Sequence, residues 1–253
     1  ALAHSFRSIT EAKKCYMSYD STICVADSVK ENFLSLVNVK NCVVLYNTNE
    51  TDKILSMANE PLDKELSDEI NVFSVGRLTH QKGYDRLINV HKKLIDEGIR
   101  HHIYILGTGA LEEQVKEYIK AHNLEDKVKM FGFKSGDELK KFVAQAKCII
   151  LPSEWYENGP YAIMEAMSQG KPVIVSRFGG LPEIVEDQKT GFICNPFDSE
   201  DLKNCIEKVC NLTADEYKAM SNTAVLNAKR DFDADTYGKT LIAHYERLIQ
   251  NKR

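Results

Sequence analysis

The sequence has no run of 18 or more apolar residues, which rules out a membrane-spanning helix within it. Its longest apolar stretches, residues 42–46 and 148–151, have the length of short buried strands. Residues 1–19 mix His, Arg, Glu and Lys throughout, so no signal peptide is expected there. Seven cysteines contain no Cys-x-x-Cys and no zinc-type spacing, and their number is odd. Cys24, Cys42 and Cys148 fall in apolar, strand-like runs, as reduced and buried thiols of a cytoplasmic protein would. A basic excess is missing too. Lys and Arg number 33 against 37 Asp and Glu, a net charge of -4, which argues against a nucleic-acid binder. Pairs such as Lys92-Lys93 and Lys140-Lys141 sit among acids at helical spacing and read as solvated helix faces. The chain begins Ala-Leu-Ala-His-Ser-Phe without an initiator Met, and it is expected to be a piece of a longer one.

What is present is an ordinary globular composition, 43% hydrophobic and 28% charged. From about residue 68 the pattern alternates strand and helix. Strands are expected at 70–75, 102–106, 128–131, 148–151, 172–176 and 192–194. Helices are expected at 85–96, 111–122, 137–146, 159–169, 181–185 and 199–210. Such alternation predicts an α/β fold: a Rossmann-like, doubly wound parallel sheet with helices on both faces. Ligands of such sheets bind beyond the carboxyl ends of the strands. The first fifty residues fit that domain poorly. A helix at 4–17, a strand at 21–25, a helix at 29–37 and a strand at 41–45 amount to two units, too few to bury a core alone. The expected division is residues 1–47 as the remnant of another Rossmann domain, 48–234 as the main domain, and 235–253 as a helix packing back on the first piece.

Three segments at strand ends carry chemistry. In Pro152-Ser153-Glu154-Trp155-Tyr156-Glu157-Asn158-Gly159-Pro160-Tyr161-Ala162-Ile163-Met164-Glu165, two carboxylates lie on one loop and the helix that follows. The start of that helix leaves N–H groups unpaired from Tyr161 onward, an anion site. Gly76-Arg77-Leu78-Thr79-His80-Gln81-Lys82-Gly83 sets two cations five residues apart, as suits a diphosphate. Gly179-Gly180-Leu181-Pro182-Glu183 opens a further helix whose N–H groups can meet an anion. Gly107-Thr108-Gly109 is a weaker hint, explained equally by close packing at a turn.

Taken together, Pro-Ser-x3-Glu-x7-Glu-Ala-Met, Gly-Arg-Leu-x3-Lys-Gly and Gly-Gly-x-Pro-Glu resemble the C-terminal, donor-binding domain of the family 4 retaining glycosyltransferases of GT-B fold. The resemblance covers roughly residues 43–245. It implies a retaining hexosyltransferase that moves a sugar from a nucleoside-diphosphate sugar, UDP- or GDP-linked, to a glycan or lipid-linked acceptor. It implies no metal ion or other cofactor, because Arg77 and Lys82 would clamp the diphosphate and stabilise the leaving group. Glu157 would bind hydroxyls of the transferred sugar and completes the catalytic set. Glu165 would accept the ribose hydroxyls. Gly132, Phe133 and Lys134 would border the base, largely through backbone atoms. Gly76, Gly109, Asn158, Gly159, Tyr161, Ala162, Gly180 and Leu181 would line phosphates or sugar, with Pro160 removing one N–H there. The acceptor site, and any peripheral membrane contact, would belong to the missing N-terminal half, with the enzyme in the cytoplasm or at the inner face of the membrane.

Two other readings stand beside this one: a sugar-nucleotide epimerase or phosphorylase of the same fold, and a nucleotide-binding module without turnover of its own. A glycoside hydrolase would need carboxylates on both sides of the scissile bond, and Glu157 and Glu165 share one loop and helix.

Overall fold

Near-continuous apolar runs demand burial on both faces, and the strands from residue 70 onward are largely buried in that way, except the edge strand at residues 128–132, where Lys129 is exposed. The computed structural model describes residues 8–62 and 66–251. Six parallel strands form one sheet: β3 (Ile70–Val75), β4 (His101–Leu106), β5 (Val128–Gly132), β6 (Cys148–Leu151), β7 (Val173–Ser176) and β8 (Gly191–Cys194). Their order is β5-β4-β3-β6-β7-β8, so the chain winds outward from β3 in one direction and then from β6 in the other. Two further strands, β1 (Thr22–Cys24) and β2 (Cys42–Val44), pair in parallel as a separate small sheet. Every strand expected from the sequence is present, with boundaries shifted by at most one residue at either end.

Alternate side chains of each strand enter different cores. Val72, Ile103, Ile105, Cys148, Ile150 and Ile174 pack under α4 (Tyr84–Asp96), α5 (Glu112–Ala121) and α9 (Ser199–Asn211). Phe73, Tyr104, Leu106, Ile149, Leu151, Val173 and Val175 pack under α6 (Gly136–Ala144), α7 (Tyr161–Ser168) and α8 (Leu181–Ile184). That second core is closed by α10 (Ala214–Asp231), which is not among the helices expected from the sequence. Its buried stripe is mostly small, with Ala224 and Ala228 beside Met220, so it gives little apolar signal. Its start is nonetheless well specified by a capping box between Thr213 and Glu216.

Ahead of the main sheet lie α1 (Ile9–Met17), α2 (Asp27–Leu36) and α3 (Thr51–Ser56). Ser8 caps α1, its Oγ accepting the Glu11 N–H at 3.1 Å; residues 4–7 of the expected helix lie outside the described residues. A small core of Cys24, Phe33 and Val37 holds β1, β2 and α2 together. The final helix, α11 (Ala234–Gln250), meets this piece where His244 Nε2 lies 2.9 Å from Ser21 Oγ. Residues 47–49 stitch it to the main domain. Asn47 donates to Gly159 O at 2.9 Å, Thr48 Oγ1 to Phe232 O at 2.5 Å, and Asn49 N to the same carbonyl at 3.0 Å.

One buried polar pair lies at the amino edge of the sheet, away from the strand ends where ligands bind. His91 Nδ1 is 2.6 Å from His101 Nε2, and both residues have no solvent exposure. Burial holds both imidazoles below their usual value, His91 well below, with the neighbouring histidine adding to the effect there. Neutral in the fold, they protonate near pH 6.5 once the chain unfolds. The unfolded chain therefore takes up more protons below that value. Stability is full above about pH 6.5 and is lost as pH falls below it. The urea midpoint at pH 5.5 is expected to lie below that at pH 7.5, and His91→Gln is expected to flatten this dependence; equal slopes in parent and variant would refute it.

Candidate functional site

The strand order places the switch of direction between β3 and β6, and the crevice of such a sheet opens there, outside the carboxyl ends. The loops flanking it are residues 76–83 and 152–160, two of the three singled out in the sequence. They approach to backbone contact. Gly83, at φ +70°, sits so close to Pro152 that an added Cβ would lie 2.4 Å from the Pro152 carbonyl. The Glu154 N–H bonds to Gln81 O at 2.9 Å. On this frame Lys82 Nζ meets Glu157 Oε1 at 2.5 Å, with the two side chains 17% and 16% exposed. Ser153, fully buried, places its Oγ 2.7 Å from the same carboxylate oxygen. Arg77 is exposed, and among the described residues no carboxylate pairs with it.

The third loop, after β7, clamps Glu157 from the other side. Gly179 bridges to Glu157 in parallel, and the Gly180 N–H bonds to Glu157 O at 2.6 Å. At Gly179, with φ +70°, a Cβ would lie 2.3 Å from Glu157 O. Helix α7 then begins at Tyr161, two residues later than expected, because Gly159 has φ +110° and Pro160 is extended. Pro160 offers no capping side chain, so the N–H groups of Tyr161 and Ala162 meet no protein acceptor among the described residues. About one turn further on, Glu165 is partly buried, and its carboxylate accepts no hydrogen bond among the described residues. Burial raises its pKa, with Lys140 opposing. A cation, a cation–carboxylate pair, free amides and a half-buried carboxylate thus share one strand edge, an arrangement able to hold a phosphorylated, hydroxyl-rich molecule.

Several expected residues act differently from the sequence reading. The N–H of Gly180 is spent on Glu157, so it holds that loop and is not free for an anion. Glu183, in the same motif, reaches 156 and 155 residues back to accept the N–H groups of Asp27 at 2.6 Å and Ser28 at 2.8 Å. It caps α2, whose own N-cap residue Ala26 cannot. Burial would raise its carboxyl, but those amides and the Tyr46 hydroxyl at 2.9 Å outweigh it and hold the pKa down. Nothing in the local sequence marks this, since the partners are distant in the chain. Gly109 packs against the Leu78 backbone, the plainer of its two readings. Gly76 joins the β4 end through its N–H to Leu106 O at 3.0 Å.

Of the remaining expected residues, Phe133 is 71% exposed at the rim, while Lys134 pairs with Glu138 at 2.7 Å. Asn158 is exposed beside Glu157, and the Leu181 side chain is buried in the second core. His80, in the same loop as Arg77 and Lys82, is exposed beside Asp85 at 3.3 Å. Sequence reasoning assigned no part to Ser153 or Asn47. Ser153 stood inside the Pro-Ser-x3-Glu motif and could have been found there. Among the described residues no three His, Cys, Asp or Glu side chains cluster to hold a metal ion, and no helix is long and apolar enough to cross a membrane.

The fold is that of glycosyltransferases of the GT-B type. Residues 59–226 match the family described as glycosyl transferases group 1, and the chain belongs to that family. It is 31% identical over 184 residues to the putative colanic acid biosynthesis glycosyltransferase WcaL of Escherichia coli K12, covering 71% of this chain and 45% of that protein. It is 34% identical over 162 residues to the amylovoran biosynthesis glycosyltransferase AmsK of Erwinia amylovora, covering 62% and 40%. The chain thus spans less than half the length of these curated relatives. Among solved structures, Anabaena HepE in complex with UDP and glucose superposes with a TM-score of 0.82 at 22% identity, covering 97% of this chain and 68% of that one. Sucrose-phosphate synthase from Thermosynechococcus elongatus gives 0.81 at 20% identity, covering 96% and 62%.

The loop clamp makes a stability prediction. Gly98 also has positive φ, +88°, but an added Cβ there meets nothing within 4 Å. Gly98→Ala is expected to cost only the left-handed backbone penalty, about 1–2 kcal/mol. Gly179→Ala adds a collision with the Glu157 carbonyl and is expected to cost clearly more by urea denaturation. Equal costs would remove the clamp.

Proposed function

We propose that this chain is the donor-binding part of a retaining glycosyltransferase that uses a nucleoside-diphosphate sugar. The observation that carries the reading is the Lys82–Glu157 pair at the β3/β6 switch point, beside Arg77 and the amides of Tyr161 and Ala162, which are unpaired among the described residues. A diphosphate suits that setting: Arg77 offers forked donors, Lys82 a point charge, and the start of α7 two N–H groups. As the bond to the sugar breaks, the same cations offset the charge growing on the leaving phosphate, the part a metal ion plays elsewhere. Glu157 receives hydroxyls of the transferred sugar, and Glu165 those of the ribose. The reading requires no metal or other cofactor. UDP is the first base to test, because HepE, of the same fold, has been seen with UDP and glucose.

In this proposal residues 1–47 belong to an acceptor-side Rossmann domain, 48–234 form the donor domain, and 235–253 return to the first piece. The acceptor is a glycan or lipid-linked saccharide, in keeping with the polysaccharide pathways named for WcaL and AmsK. The enzyme works in the cytoplasm, at the inner face of the membrane when its acceptor is lipid-linked, with membrane contact made by the acceptor-side domain.

Calorimetric titration with UDP, GDP and ADP tests the reading. One nucleotide is expected to bind saturably and to lose affinity in Glu165→Ala; no binding of any would contradict it. Arg77→Ala is expected to weaken the diphosphate by about 1.5–3 kcal/mol, the scale of a hydrogen bond to a charged group, and to leave the nucleoside unchanged. Lys82→Ala is expected to weaken it more, because the bared Glu157 carboxylate then repels the phosphates. The double variant Lys82→Ala/Glu157→Gln is expected to recover part of that difference. Parental diphosphate binding in both single variants would refute the clamp.

A further inference from the structure

The carboxylate of Glu157 is held by one oxygen only. Oε1 receives Lys82 Nζ at 2.5 Å and faces Ser153 Oγ at 2.7 Å. Among the described residues no donor reaches Oε2. A serine hydroxyl has one proton, and Ser153 Oγ also lies 2.9 Å from Gln81 O. The carboxylate takes the proton, since charge-assisted bonds are the shorter and stronger ones. Gln81 O is not orphaned by that choice, because it already accepts the Glu154 N–H at 2.9 Å. The Trp155 N–H points at Ser153 Oγ from 3.4 Å, so the hydroxyl is oriented from behind as well.

The main chain of Glu157 is fixed independently, by Gly180 N–H on its carbonyl at 2.6 Å. What remains free is rotation of the side chain. Lys82 alone would not prevent it. In the proposed donor complex its ammonium turns toward the diphosphate, and a carboxylate tied only to Lys82 would follow. A neutral, fully buried hydroxyl carries no charge for the diphosphate to attract.

We propose that Ser153 is a positioning residue: it pins Glu157 Oε1 and thereby presents Oε2 to the hydroxyls of the sugar on the nucleotide. This rests on the donor reading above. Ser153 touches no substrate, so its loss is felt by the sugar and not by the diphosphate, whereas a merely structural residue would affect both alike.

The test is calorimetric, on the full chain, comparing UDP with UDP-glucose, GDP with GDP-mannose and ADP with ADP-glucose. For the base that binds, Ser153→Ala is expected to raise the Kd of the nucleotide sugar about tenfold, the size expected for losing one hydrogen bond to a charged group, while the Kd of the nucleoside diphosphate stays within about twofold. Ser153→Thr, which keeps the hydroxyl, is expected to restore the parental ratio. Thermal melting follows folding; should the alanine variant not fold, Ser153→Cys, close in volume and a weak donor, carries the same comparison. Binding of both ligands by the parent with an unchanged ratio in the variant overturns the role of Ser153 alone. Failure of the parent to bind any nucleotide overturns the donor reading and this inference with it.

Discussion

At the carboxyl edge of the sheet the loop at residues 152–160 bonds through its backbone to the loops on either side of it, and the site depends on that closeness. Gly83 packs on the Pro152 carbonyl and Gly179 on the Glu157 carbonyl, at distances a Cβ would not permit. The sheet order supplies the occasion, because β3 and β6 are neighbours although about seventy residues apart in the chain. Glycine then lets the loops close over the gap. Lys82 and Glu157 arrive already oriented, so a ligand has little ordering left to impose on them.

Within that frame the charges are divided unequally. Lys82 and Glu157 neutralise each other in the unliganded chain, which avoids leaving either poorly hydrated charge unpaired. Among the described residues Arg77 and Glu165 have no such partner: one is solvated, and the other has its pKa raised by burial. The paired residues set geometry, and the unpaired ones are left to gain most from a ligand. A second constraint joins the small N-terminal sheet to this edge. Glu183 leaves the β7 loop to cap α2, and Asn47 holds Gly159 just before α7. Movement of the first fifty residues would therefore be felt at the start of α7.

Much of this was legible in the sequence. Short apolar runs between helical repeats gave the strands, since burial on both faces leaves little room for polar positions. The motif spacing marked Arg77, Lys82, Glu157 and Glu165, and the parallel order brought their loops to one edge. What escaped notice depended on partners far along the chain. Glu183 looked like part of an anion-binding turn, yet its partners lie at Asp27 and Ser28. Gly180 looked like a free amide, yet its N–H is taken by Glu157. Helix α10 escaped for a different reason, as its buried alanines carry little hydrophobic contrast.

Hydrogen exchange of the unliganded chain, followed by addition of a nucleoside diphosphate, tests the central claim that the edge is organised before a ligand arrives. The Gly180 and Glu154 amides, both bonded between loops, are expected to exchange slowly without ligand and to change little on its addition. The Tyr161 and Ala162 amides are expected to exchange fast and to become protected. Fast exchange at Gly180 and Glu154 that slows only with nucleotide would mean that the ligand builds the site, and would contradict the account.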